Sequence, residues 1–294
     1  GDVEEVVWAL YQEVCRRGVA MLDEMFRASG KRYGHICGQV DPRSVTDCDA
    51  MVKQGQSLRA IGDNVMIKMP ATQEGIEGIR ILSGMGISTN ATLSFSVAQS
   101  VAVAEAARAG FAQARAAGID LTGVRSCATL MLGRMEDAPE FRQQAAERGI
   151  ELTETDLRWA GVAMARKTYR IFQERGYETK LLCASMRLGP TIDGQPHVWH
   201  LEQLAGGDMV STIFPNIMAA FIETYADRDL APRIEEPVPA EVLDKLLRVP
   251  YFVQAYDEDG VAPADFAELP GARATAAQFV EAMENIVAYV SRFV

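Results

Sequence analysis

The sequence predicts an α/β protein built on a parallel sheet, and three observations carry that expectation. Six short apolar, strand-like runs alternate along the chain with longer runs of helical period, the pattern of parallel strands joined by right-handed crossovers. The clearest unit, DNVMIKMPATQEGIEGIRILSGMGISTNATLSFS from Asp63 to Ser96, reads as strand, loop, helix, turn and strand. At 294 residues, 48% of them apolar, the chain can bury a large core and has the size of one α/β barrel.

Taken in order, Val3 to Ala28 places Val6, Val7, Leu10, Val14, Val19 and Leu22 at spacings that predict a helix with one packed face. Tyr33 to Val40 predicts a short strand, ended by Asp41-Pro42-Arg43, and Asp47 to Ile61 a second helix. Val65, Ile67 and Met69 then alternate with Met66 and Lys68 in a strand that Pro70 closes, so Lys68 points to one face at the strand's C-terminal end. Thr72 is the expected N-cap of a helix reaching Gly84, with Ile76, Ile79, Ile81 and Leu82 at helical spacing. Ile87 to Phe95 predicts the next strand, along which Asn90, Thr92, Ser94 and Ser96 are spaced by two.

An alanine-rich helix follows and stops at Gly118, and Arg125 to Leu132 predicts a strand leading to Gly133-Arg134. Pro139 to Gly176 reads as a long polar helical stretch. Leu181 to Met186 is a further expected strand, followed by Arg187, and Asp208 to Ile213 is the last, ending at Phe214-Pro215. Helical text runs on to Val294, interrupted by a Pro- and acid-rich connection from Ala231 to Pro239. With no internal repeat, low-complexity tract or linker, one domain spanning residues 1–294 is expected. A closed barrel of this type has eight strands. The sequence opens at Gly1-Asp2 without Met, so an N-terminal portion carrying the first two strands is expected to be missing.

The net charge of −11 argues against nucleic acid or an anionic membrane surface as the main partner. No apolar run is long enough to span a bilayer and no signal-peptide pattern opens the chain, so a soluble, cytoplasmic protein is expected. Cys15, Cys37, Cys48, Cys127 and Cys183 are odd in number and lack CxxC spacing, which fits buried free thiols in a reducing compartment. His35, His197 and His200 are too few and too scattered to suggest a metal site, and neither metal nor cofactor is expected.

Polar groups on a central strand need partners, because a buried hydroxyl or amide without one costs roughly 1–3 kcal/mol. In parallel α/β folds the ligand sits at the C-terminal ends of the strands, where Lys68 and the row Asn90, Thr92 and Ser94 fall. Lys68 stands out among six lysines. Lys31, Lys53, Lys167 and Lys245 read as solvated helix or loop positions, and Lys180 begins its strand at the opposite end. A lysine nucleophile reacts as the neutral amine, and an apolar interior disfavours the ammonium.

Several motifs, in order, resemble the transaldolase family: CGQVDPR its third strand, NVMIKMPATQEGI and GISTNATLSFSVAQ its central unit, ATLMLGRMED its sixth strand, LCASMR its seventh and LAGGDMVSTIFP its eighth. The resemblance covers most of the chain. It implies a (β/α)8 TIM barrel and Schiff-base transfer of a dihydroxyacetone unit between sugar phosphates. It also implies that Lys68 forms the Schiff base, that Asn90 contacts the sugar, and that Thr92 contacts both sugar and catalytic water. Arg134, Ser185 and Arg187 match its phosphate-binding positions, for which the planar arginine fork is suited.

The chain departs from the family pattern at several points. Gln39 stands where the family has a glutamate working with the catalytic water, and an amide holds water but cannot take its proton. Thr129 replaces a serine at a substrate-binding position, and Met131 stands where the family has an aromatic. The strand-one aspartate and the strand-two Asn-Pro-Ser segment have no counterpart in this text. The leading expectation is a transaldolase-like enzyme acting on sugar phosphates. The alternatives are a related Schiff-base aldolase with altered donor specificity and a catalytically impaired sugar-phosphate-binding homologue.

Overall fold

The computed structural model describes residues 2–227 and 229–294. The chain opens with helix α1 (Val3–Ala28), started by the Asp2 carboxylate, which accepts from the Glu4 N–H. Strand β1 (Ile36–Gln39) follows, then α2 (Cys48–Arg59) capped by Asp47, β2 (Val65–Pro70), and α3 (Gln73–Gly84) capped by Thr72. Strand β3 (Thr89–Thr92) leads to α4 (Val97–Ala116), and β4 (Ser126–Met131) to the short α5 (Leu132–Glu136), α6 (Pro139–Ala146) and α7 (Glu154–Glu174). Strand β5 (Lys180–Ala184) is followed by a hairpin of β6 (Thr191–Ile192) and β7 (Gln195–Pro196), then α8 (Trp199–Glu202) and β8 (Val210–Ser211). Helices α9 (Pro215–Tyr225), α10 (Ala240–Leu246), α11 (Pro250–Tyr256) and α12 (Pro270–Val290) complete the chain.

Strands β1, β2, β3, β4, β5 and β8 form one sheet in that order, with parallel pairing throughout. Six consecutive parallel strands with helices packed on one face constitute six of the eight units of a (β/α)8 barrel. The outward side chains Val65, Ile67, Met69, Ala91, Ala128, Leu130, Leu181 and Cys183 join the helices in the main core. The inward face carries a smaller cluster of Met66, Cys127, Leu182 and Ala184.

The sheet is strongly curled. Asn90 on β3 donates through Nδ2 to Cys37 Sγ on β1 at 3.3 Å, reaching across β2. In a flat sheet strands two apart are separated by roughly 10 Å, twice the spacing of neighbours. The inner faces of β1 and β3 therefore tilt toward each other.

Several expected boundaries move. The strand expected over Ile87 to Phe95 is confined to Thr89–Thr92, because Leu93 turns left-handed (φ 54°) and Ser96 becomes the N-cap of α4, accepting from the Gln99 N–H. The long stretch from Pro139 divides into α6 and α7 at Gly149, whose φ of 66° ends the first helix. The strand expected over Asp208 to Ile213 pairs only at Val210–Ser211. Of the thiols expected to be buried, Cys15, Cys127 and Cys183 are, Cys48 is partly covered and Cys37 is exposed; all five are free. Lys167 and Lys245, expected to be solvated, are paired with Asp257 and Asp156. Among the described residues no helix is long and apolar enough to cross a membrane.

Candidate active site

The register of the sheet sets three expected residues in one row. Gln39, Lys68 and Asn90 are Cα partners on β1, β2 and β3, all on the inner face near the C-terminal strand ends. Lys68 is half-buried between them, and among the described residues it forms no ion pair. Lys180, in contrast, lies at the start of β5 and is tied to Asp208.

Each neighbour of Lys68 is fixed by its own contacts. The Gln39 amide donates through Nε2 to the carbonyls of Val40 (3.2 Å) and Lys68 (3.1 Å), while its main-chain N–H donates to the Tyr11 hydroxyl at 2.6 Å. That hydroxyl, on α1, is held above the ordinary tyrosine range by burial. Asn90 is oriented from both sides, since Thr129 Oγ1 donates to its Oδ1 at 2.8 Å and its Nδ2 reaches Cys37. Thr92 closes β3 beside Pro70 and is buried. Burial pushes the Cys127 thiol, in register with Asn90, up to about 12.

Ser94 lies apart from the row. It follows the left-handed Leu93, its buried hydroxyl has no hydrogen-bond partner among the described residues, and its carbonyl accepts from the Met131 N–H.

The two arginines and Ser185 occupy the rim beyond β4 and β5. Arg134, on α5, donates to Gln278 Oε1 (2.7 Å) and Thr275 Oγ1 (3.3 Å) of α12, so the last helix holds its guanidinium. Ser185 follows β5 with φ 58°, a conformation a non-glycine residue keeps only where its surroundings impose it. Its carbonyl accepts from Arg187 Nη1 at 2.8 Å, and Arg187 Nε donates to Asp137 at 2.7 Å. Gly133 makes this crossing possible, since a Cβ there would lie 2.0 Å from the Ser185 carbonyl oxygen. Arg158 and Arg187 line a rim cavity of about 400 Å³ with Phe214 and Asn216.

Sequence reasoning did not find the buried group behind Arg187. Glu136 and His200 are fully buried, and Arg158 Nη1 lies 2.6 Å from Glu136 Oε2. Glu136 is the second-last residue of the motif ATLMLGRMED, but its pairing with a histidine 64 residues away leaves no local signal. Among the described residues no group of three or more His, Cys, Asp and Glu is placed to hold a metal ion.

Residues 1–268 match the family model described as Transaldolase/Fructose-6-phosphate aldolase. "Transaldolase" of Thiobacillus denitrificans is 30% identical over 276 residues, 91% of this chain and 72% of that protein. "Transaldolase 1" of Streptomyces avermitilis is 34% identical over 174 residues, and its namesake in Streptomyces coelicolor 35% over 173, each alignment taking in 58% of this chain. The chain spans about half the length of these two relatives, 46% and 45%. With the parallel sheet, the order of its motifs and the family match in agreement, the chain belongs to the transaldolase/fructose-6-phosphate aldolase family.

Proposed function

We propose that this chain carries the Schiff-base half-site of a cytoplasmic transaldolase-type enzyme that moves a dihydroxyacetone unit between sugar phosphates, using a single barrel domain and no cofactor. The observation that carries the proposal is the position of Lys68, without an ion pair among the described residues and in register between Gln39 and Asn90 on the inner face of the sheet.

In this reading the Lys68 amine adds to the ketose carbonyl, water leaves, and an iminium forms. The carbon–carbon bond beyond the neighbouring carbon then breaks. Its electron pair passes into the enamine, the aldehyde fragment departs, and the proton of its hydroxyl is taken up by water. The enamine attacks an acceptor aldehyde, and hydrolysis frees Lys68. Asn90, aligned by Thr129, hydrogen-bonds the sugar hydroxyls; Thr92 and the carbonyl oxygen of Gln39 orient the water. Arg187, Arg134 and Ser185 take the phosphate, and Ser94 and Thr129 complete the substrate-binding set.

Borohydride trapping with fructose 6-phosphate, read by mass spectrometry and peptide mapping, tests the proposal. A stable adduct on Lys68 that is lost in Lys68→Met supports it; no adduct from the folded protein refutes it for this donor. One observation favours a second reading, a sugar-phosphate-binding homologue with little turnover. The row around Lys68 contains no carboxylate, and the amide of Gln39 donates to main chain. Phosphate-dependent binding without trapping would select that reading.

A further inference from the structure

Behind the rim arginine runs a chain of buried polar groups drawn from three segments. The main-chain N–H of Arg187 donates to His200 Nδ1 at 3.1 Å. That nitrogen is therefore the acceptor of the ring, so the proton sits on Nε2, which donates to Glu136 Oε1 at 2.6 Å. Glu136 Oε2 lies 2.6 Å from Arg158 Nη1, and the Arg158 guanidinium is 3.8 Å from Asp137, the carboxylate that also holds Arg187 Nε. The carboxylate of Glu136 and the guanidinium of Arg158 balance each other in charge, so the neutral imidazole fits between them and the main chain.

This chain is built into the fold. Glu136 and His200 are 0% exposed, and a buried carboxylate is tolerated only when it is paired and hydrogen-bonded. A Cβ on Gly161 of α7 would lie 2.0 Å from Glu136 Oε1, so the helix opposite gives up a side chain to admit the carboxylate. The strand that ends at Ala184 is followed by the left-handed Ser185, and the next fixed point of the main chain is the Arg187 N–H on His200.

We infer that His200 is a positioning residue for anion recognition: it pins the main chain at Arg187, with its tautomer set by Glu136, so that the guanidinium stands preorganised at the rim cavity for a sugar monophosphate. The inference rests on the reading of Arg187 as the phosphate-binding arginine. Arg187 Nη1 is turned toward the carbonyls of Ser185 and Met186, and Nε toward Asp137. A side chain held in one geometry by its own loop loses less freedom when the phosphate arrives. His200 touches no substrate; it acts through the main chain it holds.

The test compares His200→Phe, which keeps a flat ring but removes both hydrogen bonds, with His200→Gln, whose amide can accept from Arg187 and donate to Glu136. The readout is Lys68 trapping against concentration for fructose 6-phosphate and for unphosphorylated dihydroxyacetone. In His200→Phe the half-saturating concentration of fructose 6-phosphate should rise about tenfold, a loss typical of one well-placed charged contact. Maximal trapping, and the trapping of dihydroxyacetone, should change far less, and His200→Gln should recover most of the loss. Arg187→Ala separates the two layers of argument. If Arg187→Ala leaves the preference for the phosphorylated ketose intact, the phosphate-site reading fails; if it abolishes the preference while His200→Phe retains it, the positioning role is overturned. A second measurement uses the unaltered chain. The ring nitrogen-15 shifts of His200 should report the Nε2–H tautomer and move as inorganic phosphate is added, and the opposite tautomer, or shifts unmoved by bound phosphate, would overturn the inference.

Discussion

Gln39 illustrates how the partners a side chain already has limit its chemistry. Both of its amide donor contacts run to main-chain carbonyls, of Val40 and of Lys68. Gln39→Glu would set carboxylate oxygens against those two carbonyls and remove both hydrogen bonds, so a loss of roughly 1–3 kcal/mol is expected at neutral pH. A fall in the thermal midpoint of several degrees would register it, and an unchanged midpoint would mean that the amide is not anchored there. Gly133 is limited by space instead. A Cβ would sit 2.0 Å from the Ser185 carbonyl oxygen and 2.8 Å from Arg187 Cγ, and main chain cannot yield as a flexible side-chain tip does. Gly133→Ala should therefore destabilise by about 1–3 kcal/mol and weaken phosphate binding together, measured by denaturant unfolding and phosphate titration. Lys68 and the row beside it were legible because period-two alternation and Pro70 fix a strand end within a few residues. The Glu136–His200 contact was not, because only the folded chain brings its halves together.

At the scale of elements, a helix start is legible where its cap is written in adjacent residues, as at Thr72, and was missed at Thr153, where Pro139 to Gly176 read as one stretch. Asp2, Asp47 and Thr72 each accept from a main-chain N–H two or three residues on, as their positions before apolar helical runs suggest. The end of β3 was misread for a related reason: Ser94 and Ser96 continue the two-residue spacing of Asn90 and Thr92, but the turn at Leu93 takes them off the sheet. The α7 cap carries a pH prediction. Thr153 and Asp156 form a reciprocal capping box, and Lys245 Nζ lies 2.6 Å from Asp156 Oδ2. Burial pushes the Asp156 carboxyl up, but the hydrogen bonds from Lys245 and Thr153 outweigh it and hold the group below its ordinary range. The unfolded chain then takes up this proton first as pH falls. The stabilisation is complete above the unfolded value, near pH 4, and drains away as pH drops toward the folded one. Asp156→Asn should cost about 1–2 kcal/mol at pH 7, and the difference from the parent chain should shrink as the pH is lowered below the unfolded value in urea unfolding. A difference independent of pH would assign the effect to packing.

At the scale of the whole molecule, curvature divides the thiols by face, and this makes the architecture testable. Cys183 faces outward into the helix layer and is fully buried; Cys127 faces inward among Met66, Leu182 and Ala184, and Cys15 is on the buried face of α1. Cys37 is also on the inner face, but β1 has a strand neighbour on one side only among the described residues, and its thiol is exposed. A thiol reagent should therefore modify Cys37 first, Cys48 more slowly, and Cys15, Cys127 and Cys183 only on unfolding. The same map reports on the lysine row. Asn90 is Lys68's register partner and also donates to Cys37 Sγ, so a three-carbon adduct on Lys68 that engages Asn90 crowds the approach to Cys37. After borohydride trapping, Cys37 modification is expected to slow roughly tenfold while Cys48, outside the barrel on α2, keeps its rate. Slowing at both sites would indicate a general tightening of the chain. An unchanged rate at Cys37 would mean that the trapped sugar leaves the inner face through another side, and Asn90 would lose its place as a sugar contact.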